Sequence, residues 1–234
     1  MVKSLIPIDH QLTLVRVGSV NDGGYLLPKE CFNVNAVFSA GVEYNSDFEY
    51  EFAIKDIPCF LADYSVESPP ISHPNLIFTK KFIGNSNLEN EISLEHWIED
   101  ANTPSDNNLL SMDIEGNEYK ILQSVSEDTL NQFTFITIEL HNLAKILNNN
   151  QERMIIESLA KLKKNHHVVH VHANNFSPEL HVDGKVISDV VEVSLIKKDF
   201  FGESKFEELT SFPIHTNDRP NDPLFRQYQL HLID

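Results

Sequence analysis

The sequence is short of thiols, short of basic residues and free of any long apolar run, and each shortage argues against a class of protein. Cys31 and Cys59 are its two cysteines and form no CxxC pair. That argues against a disulfide framework and fits a reducing cytoplasm. Eighteen Lys and Arg stand against 35 Asp and Glu, for a net charge of −17. A field of that sign repels phosphate backbones and anionic lipid, so neither nucleic acid nor a membrane surface is an expected partner. The apolar runs fall far short of the roughly 20 residues that cross a bilayer. The opening MVKSLIPIDHQ has one Lys and no apolar core, so it does not read as a secretory signal. The Asn175-Phe176-Ser177 sequon is accordingly read as chance. The chain has no internal repeat, no low-complexity tract and no GxGxxG.

What is present is an alternation of short apolar runs with helical or polar stretches. Runs at 36–39, 58–62, 75–78, 109–112, 135–138, 168–171 and 190–196 are rich in β-branched and aromatic residues and read as strands. Helices fit over 48–54, over 94–100 behind a Ser93 cap, and over 151–164, where Met154, Ile155, Leu159 and Leu162 make an apolar stripe and Lys161, Lys163 and Lys164 suit the C-terminal end. Such alternation predicts an α/β fold, with a mostly parallel sheet covered by helices on both faces. Residues 173–189 hold Pro178 and Gly184 among polar neighbours and read as a long hairpin-like connection, which makes the last strand antiparallel. Asp22-Gly23-Gly24 is a turn signal, with Tyr25-Leu26-Leu27 as the returning strand of an N-terminal hairpin that could fold over a ligand.

Open parallel sheets bind ligands beyond the C-terminal ends of their strands. The residues there are Gly41-Val42-Glu43, Asp63, Ile83-Gly84, Asp113 to Gly116, Glu139-Leu140-His141 and His172 to Asn175. Gly41 lets a ligand approach the backbone. Asp63, about 20 residues on, stands where nucleotide-binding folds place an acid for ribose hydroxyls. Asp113 is either a helix cap or a site carboxylate. Glu139 and His141 are two residues apart and share a face in extended chain, so the carboxylate could orient the imidazole or share a metal with it. His170 and His172 also share a face, and His172 lies nearer the strand end; His166 and His167 read as surface residues in a polar turn.

Leu110 to Tyr119, with its Asp113-Ile114-Glu115-Gly116-Asn117-Glu118 core, resembles the D-[IV]-E-G-x-E segment of FkbM-type methyltransferases. The DGGYLL stretch, Ser39-Ala40-Gly41-Val42 followed by Asp47-Phe48-Glu49, Glu139-Leu140-His141 and His172 to Asn175 resemble further segments of that family, in the same order. The resemblance implies a class I Rossmann-like methyltransferase fold. A hairpin or cap would occupy 1–30, the core 31–200 and a substrate-side segment 201–234. It also implies S-adenosylmethionine as methyl donor and an O-methyltransferase acting on a sugar, a nucleotide-linked metabolite or a similar small polar hydroxyl compound. By position, Ser39, Gly41, Glu43, Asp63, Phe82, Ile83 and Asp113 would hold the cofactor. Glu43 replaces a glycine common in the family. Asp113, Glu139, His141 and His172 are the catalytic candidates.

Tyr25, Asn174, Asn175 and Arg219 are the acceptor-binding candidates, since amides that donate and accept suit hydroxyls. The hydroxyl proton could leave to His141 or His172 as base. Alternatively Asp113 and Glu139, with a histidine, could hold a divalent cation that acidifies the hydroxyl. Two rivals stand beside this reading. One is an NAD-dependent oxidoreductase, against which the missing GxGxxG argues. The other is a degenerate methyltransferase fold serving as a binding subunit, for which Glu43 is the best support.

Overall fold

The computed structural model describes residues 3–147 and 151–232. The extreme ends of the expected 1–30 and 201–234 segments, at 1–2 and 233–234, lie outside them. The chain opens with the hairpin read from Asp22-Gly23-Gly24: β1 (Leu14–Gly18) pairs antiparallel with β2 (Gly24–Pro28). The core follows as β3 (Val37–Ala40), α1 (Asp47–Ala53), β4 (Cys59–Ala62), β5 (Leu76–Thr79), a small pair β6 (Phe82–Gly84) and β7 (Glu91–Ser93), α2 (Leu94–Ala101) and β8 (Asn108–Met112). Next come α3 (Glu118–Ser124), α4 (Glu127–Leu130), β9 (Phe133–Leu140), α5 (Glu152–Asn165), β10 (His166–Ala173), a hairpin of β11 (Leu180–Val182) and β12 (Lys185–Ile187), and β13 (Val191–Lys197).

Seven strands make the central sheet in the order β10-β13-β9-β8-β3-β4-β5. β13 is antiparallel to both of its neighbours, and the other adjacent pairs are parallel. The chain steps outward from β3 through β5 and then returns to β8, so the order reverses between β3 and β8. That is the switch point at which such sheets open a crevice for ligands.

Alternation along each strand divides the core between the two faces. Phe38, Leu110, Ile136 and Ile138 pack with Trp97, Ile121, Leu122, Ile155, Leu159 and Leu162 on the side of α2, α3 and α5. Val37, Leu109, Phe135 and Val169 pack with Tyr25, Leu27, Phe48 and Phe52 on the side of α1 and the hairpin. Ser93 caps α2 by accepting the His96 N–H, and α5 buries Ile155, Leu159 and Leu162 along the expected stripe. Each such side chain contributes about 1.5–3 kcal/mol of burial.

One local expectation is corrected. His166 is not in a surface turn: it begins β10, is 1% exposed, and its Nε2 lies 2.9 Å from the Phe133 carbonyl oxygen. His167 is half-buried against Phe201 and Phe206. The 173–189 connection carries a two-stranded hairpin of its own, turning at Asp183-Gly184.

Candidate active site

β3 runs out into Gly41 and β8 into Asp113, on the two sides of the switch point. Gly41 has φ +84°, and a Cβ there would lie 1.6 Å from the Asp113 carbonyl oxygen. Only glycine lets these two strand ends close on one another. Glu43, Glu115 and Asn142 hold positive φ values of 43°, 55° and 56° without being glycine. Left-handed backbone of this kind gathers at functional sites. For Glu43, this is backbone that glycine would adopt at no steric cost.

β9 carries Glu139 near its end, and His141 follows directly. Ligand atoms of Asp113, Glu139 and His141 all lie within 4.8 Å of one another. His141 Nε2 stands 3.9 Å from Asp113 Oδ1 and 3.6 Å from Glu115 Oε2, while Nδ1 is 3.1 Å from Glu118 Oε1. Glu118 is fully buried at the start of α3, and the same Oε1 accepts the N–H groups of Ile114 and Gly116. The last acid of the D-I-E-G-N-E segment therefore ties the turn to the imidazole, a role not read from the sequence. Asp113 is not a helix cap, since Asn117 precedes the first turn of α3.

Carboxylates crowd this place. Glu139 faces Glu192 across the β9–β13 ladder, and both are buried. Burial pushes Glu139 up to about 8, with the Glu192 charge adding to it, and burial likewise pushes Glu192 up to about 8. Asp113 is lifted well above the usual carboxylate range, by burial first and then by Glu139. Burial alone would lower the His141 imidazole, but the Glu118 hydrogen bond and the charges of Glu118, Asp113 and Glu115 outweigh it and raise the group. Glu49, which accepts the Ser39 hydroxyl, is raised to about 7 by burial.

Two clefts meet here. The larger, about 660 Å³, is lined by Asp22, Tyr25, Ser39, Glu139, His141 and Asn174 among others. The smaller, about 530 Å³, is lined by Ala62, Asp63, Phe82, Ile83 and Ile121 among others. Gly41, Glu43, Asp113 and Glu115 line both. Asp63 is held by the protein itself: Oδ2 accepts the N–H groups of Val42 and Glu43, and Oδ1 accepts the N–H and hydroxyl of Ser65. These bonds bring the Asp63 carboxyl below its ordinary value against the opposing effect of burial. They clamp the Gly41 loop, and of the four partners only the Ser65 hydroxyl is free to rotate away for a ribose.

Three expected site residues stand outside these clefts. His172 is buried with Nδ1 3.7 Å from Asp218 Oδ1, beneath the C-terminal segment, and burial pulls it down to about 4. Asn175 donates to the carbonyl oxygens of Asp222 and Phe225 and accepts the Asp222 N–H, so it fastens that segment. Arg219 is exposed and donates to the Thr216 and Asp218 carbonyl oxygens. Asn174 and Tyr25 do line the larger cleft, and Asn174 Nδ2 donates to Glu139 Oε1.

S-adenosylmethionine would find an apolar flank for the faces of its adenine around Ala62, Phe82 and Ile83, and acids beyond Gly41 for its sulfonium and ammonium. A dinucleotide pyrophosphate would meet like charge there.

The family described as Methyltransferase FkbM domain matches residues 26–176. No curated protein matches the sequence significantly. Among solved structures, a fibrillarin pre-rRNA processing protein of Methanococcus jannaschii is 11% identical with a TM-score of 0.42, over 80% of this chain and 71% of that one. A fibrillarin/Nop5p complex structure gives 10% identity and a TM-score of 0.43, over 84% of this chain and 99% of that one. Both likenesses are too distant for anything about substrate or partner to pass to this protein. The family match spans more than half of the sequence, and the chain belongs to the FkbM-domain methyltransferases, enzymes that use S-adenosylmethionine.

Proposed function

We propose that this enzyme methylates a hydroxyl of a small, polar, uncharged acceptor, a sugar or a related metabolite. The observation that carries the reading is the lining of the larger cleft. Asp22, Glu43, Glu49, Asp113, Glu115 and Glu139 contribute to it, and no Lys or Arg does among the described residues. Such a wall offers a phosphate no cationic side chain to pair with, which argues against both a nucleic acid and a nucleotide-linked acceptor. Tyr44 and Phe176, 85% and 60% exposed, stand at its rim and offer apolar faces to the C–H surface of a sugar ring. S-adenosylmethionine supplies the electrophilic methyl group. The chain orients the acceptor oxygen in line with it at the junction of the two clefts, where Gly41 and Asp113 meet. The buried free thiols of Cys31 and Cys59 suit a reducing compartment, and we read the cytoplasm as the place of action.

Labelled S-adenosylmethionine offered with neutral sugars, sugar phosphates and RNA tests this. Label should enter a neutral hydroxyl compound. Phe176→Ala should raise the acceptor KM several-fold while leaving that for S-adenosylmethionine unchanged. Transfer confined to phosphorylated compounds or RNA would overturn it.

A further inference from the structure

We infer that Asp113, Glu139 and His141 form a binding site for one divalent cation of the Mn²⁺ or Mg²⁺ type, with Glu118 as the residue that positions His141 for it. Three observations converge. First, the three ligand atoms come from two strand ends yet lie within 4.8 Å of one another, close to the roughly 4.2 Å that separates opposite ligands of an ion bound at about 2.1 Å. Second, the polar atoms that face each other are only partly satisfied by the protein. Asp113 Oδ1 is buried with none. Glu139 is 3% exposed, and one of its oxygens is engaged by Asn174 while the side chain lines the cleft. His141 Nε2 lies 3.6–3.9 Å from carboxylate oxygens, too far for a hydrogen bond and spaced for an ion between them. Third, the imidazole is already held as metal-binding histidines are. The fully buried Glu118 accepts a hydrogen bond from Nδ1–H, which in the neutral ring leaves the lone pair on Nε2, the nitrogen facing Asp113.

Two carboxylates and one imidazole suit Mn²⁺ or Mg²⁺ better than a thiolate-seeking ion. A six-coordinate ion would keep three positions open to the 660 Å³ cleft. The consequence for catalysis rests on the hydroxyl-methylation reading. An acceptor hydroxyl on an open position becomes more acidic. Its proton leaves to solvent, its oxygen forms the new bond to the methyl carbon, and the carbon–sulfur bond breaks to leave the neutral thioether. His141 then serves as a ligand rather than as the base.

Metal-stripped full-length protein titrated with Mn²⁺, with free ion followed by electron paramagnetic resonance, tests the site without any acceptor. One ion per chain is expected. Asp113→Asn and Glu139→Gln should abolish binding, and both relieve like-charge crowding, so both should fold. Glu118→Gln should weaken binding roughly 10- to 100-fold. Asp183→Asn, in the distant β11–β12 turn, should leave it unchanged. Line broadening of the His141 ring resonances by Mn²⁺ in the wild-type protein gives a second readout free of any variant. Absence of stoichiometric binding of both Mn²⁺ and Mg²⁺, or binding indifferent to Asp113→Asn and Glu139→Gln, would overturn the inference. Methyl transfer that persists in chelator would sink the metal and leave the transferase reading standing; ion binding without transfer would do the reverse.

Discussion

Glu139 and Glu192 put two buried carboxylates directly opposite on neighbouring strands, an arrangement that costs stability unless a proton or a cation intervenes. The folded chain holds both groups up to about 8, by burial first. In the unfolded chain each loses its proton near 4.5. The folded state therefore keeps protons that the unfolded state has released, and stability falls as pH rises from about 4.5 toward 8. Glu192→Gln keeps an acceptor for Asn221, which now donates to the carboxylate, and removes the charge. It should raise Tm at pH 8 and do so much less at pH 5, as scanning calorimetry on metal-free protein would record. Equal shifts at both values would mean that packing, not charge, sets the effect. Much of this residue-level chemistry was readable: Asp113, Glu139 and His141 follow apolar runs, and strand ends are where a sheet presents polar groups. Glu118 and Glu192 were missed for a physical reason. One acts from inside the first turn of a helix, the other from a strand antiparallel to its neighbours, whose start rather than its end meets the cleft.

At the scale of elements, short continuous apolar runs placed all seven strands of the sheet, because burial on both faces leaves little room for polar residues in the middle of a strand. Edges were less legible. β10 begins two residues before its apolar run, and His166, which looks polar in sequence, is drawn inside by its bond to the Phe133 carbonyl oxygen. That burial depresses the imidazole from 6.5 to about 4. The unfolded chain takes up a proton below 6.5 that the folded chain refuses, so the contribution is whole above 6.5 and is lost as pH falls toward 4. At pH 5 this one group should cost about 2 kcal/mol relative to pH 7.5. His166→Gln should flatten the dependence of the urea midpoint between those two values by about that amount. An unchanged slope would assign the acid sensitivity to other groups, such as the buried His172.

At the scale of the whole molecule, the C-terminal segment acts as a strap that joins parts far apart in sequence. Asn217 donates to the Leu14 carbonyl oxygen in the hairpin, and Asn21 donates to that of Pro220. Asn221 donates to Asp22 and to Glu192, and the Tyr228 hydroxyl is 2.7 Å from Ser188 Oγ. Asn175 makes three hydrogen bonds to Asp222 and Phe225. The strap thus braces Asp22 and the 174–177 loop, two walls of the larger cleft, while the smaller cleft is walled by the Gly41 loop, β6 and α3. The two clefts should therefore respond differently when the strap is loosened. Asn175→Ala removes three hydrogen bonds of about 1 kcal/mol each and leaves their backbone partners unpaired. Amides across 217–226 should exchange faster, on the order of 100-fold for a loss near 3 kcal/mol of local stability. The acceptor KM should rise with them, since Asp22 and Phe176 lose their support. Affinity for S-adenosylmethionine should stay within a few-fold, because Gly41, Asp63 and Ile83 are clamped independently of the strap. Hydrogen exchange by mass spectrometry and calorimetry on the same sample separate these expectations. Faster exchange that spreads into β3 and β8, or a parallel loss of cofactor affinity, would mean that the strap holds the whole sheet rather than one wall of one cleft.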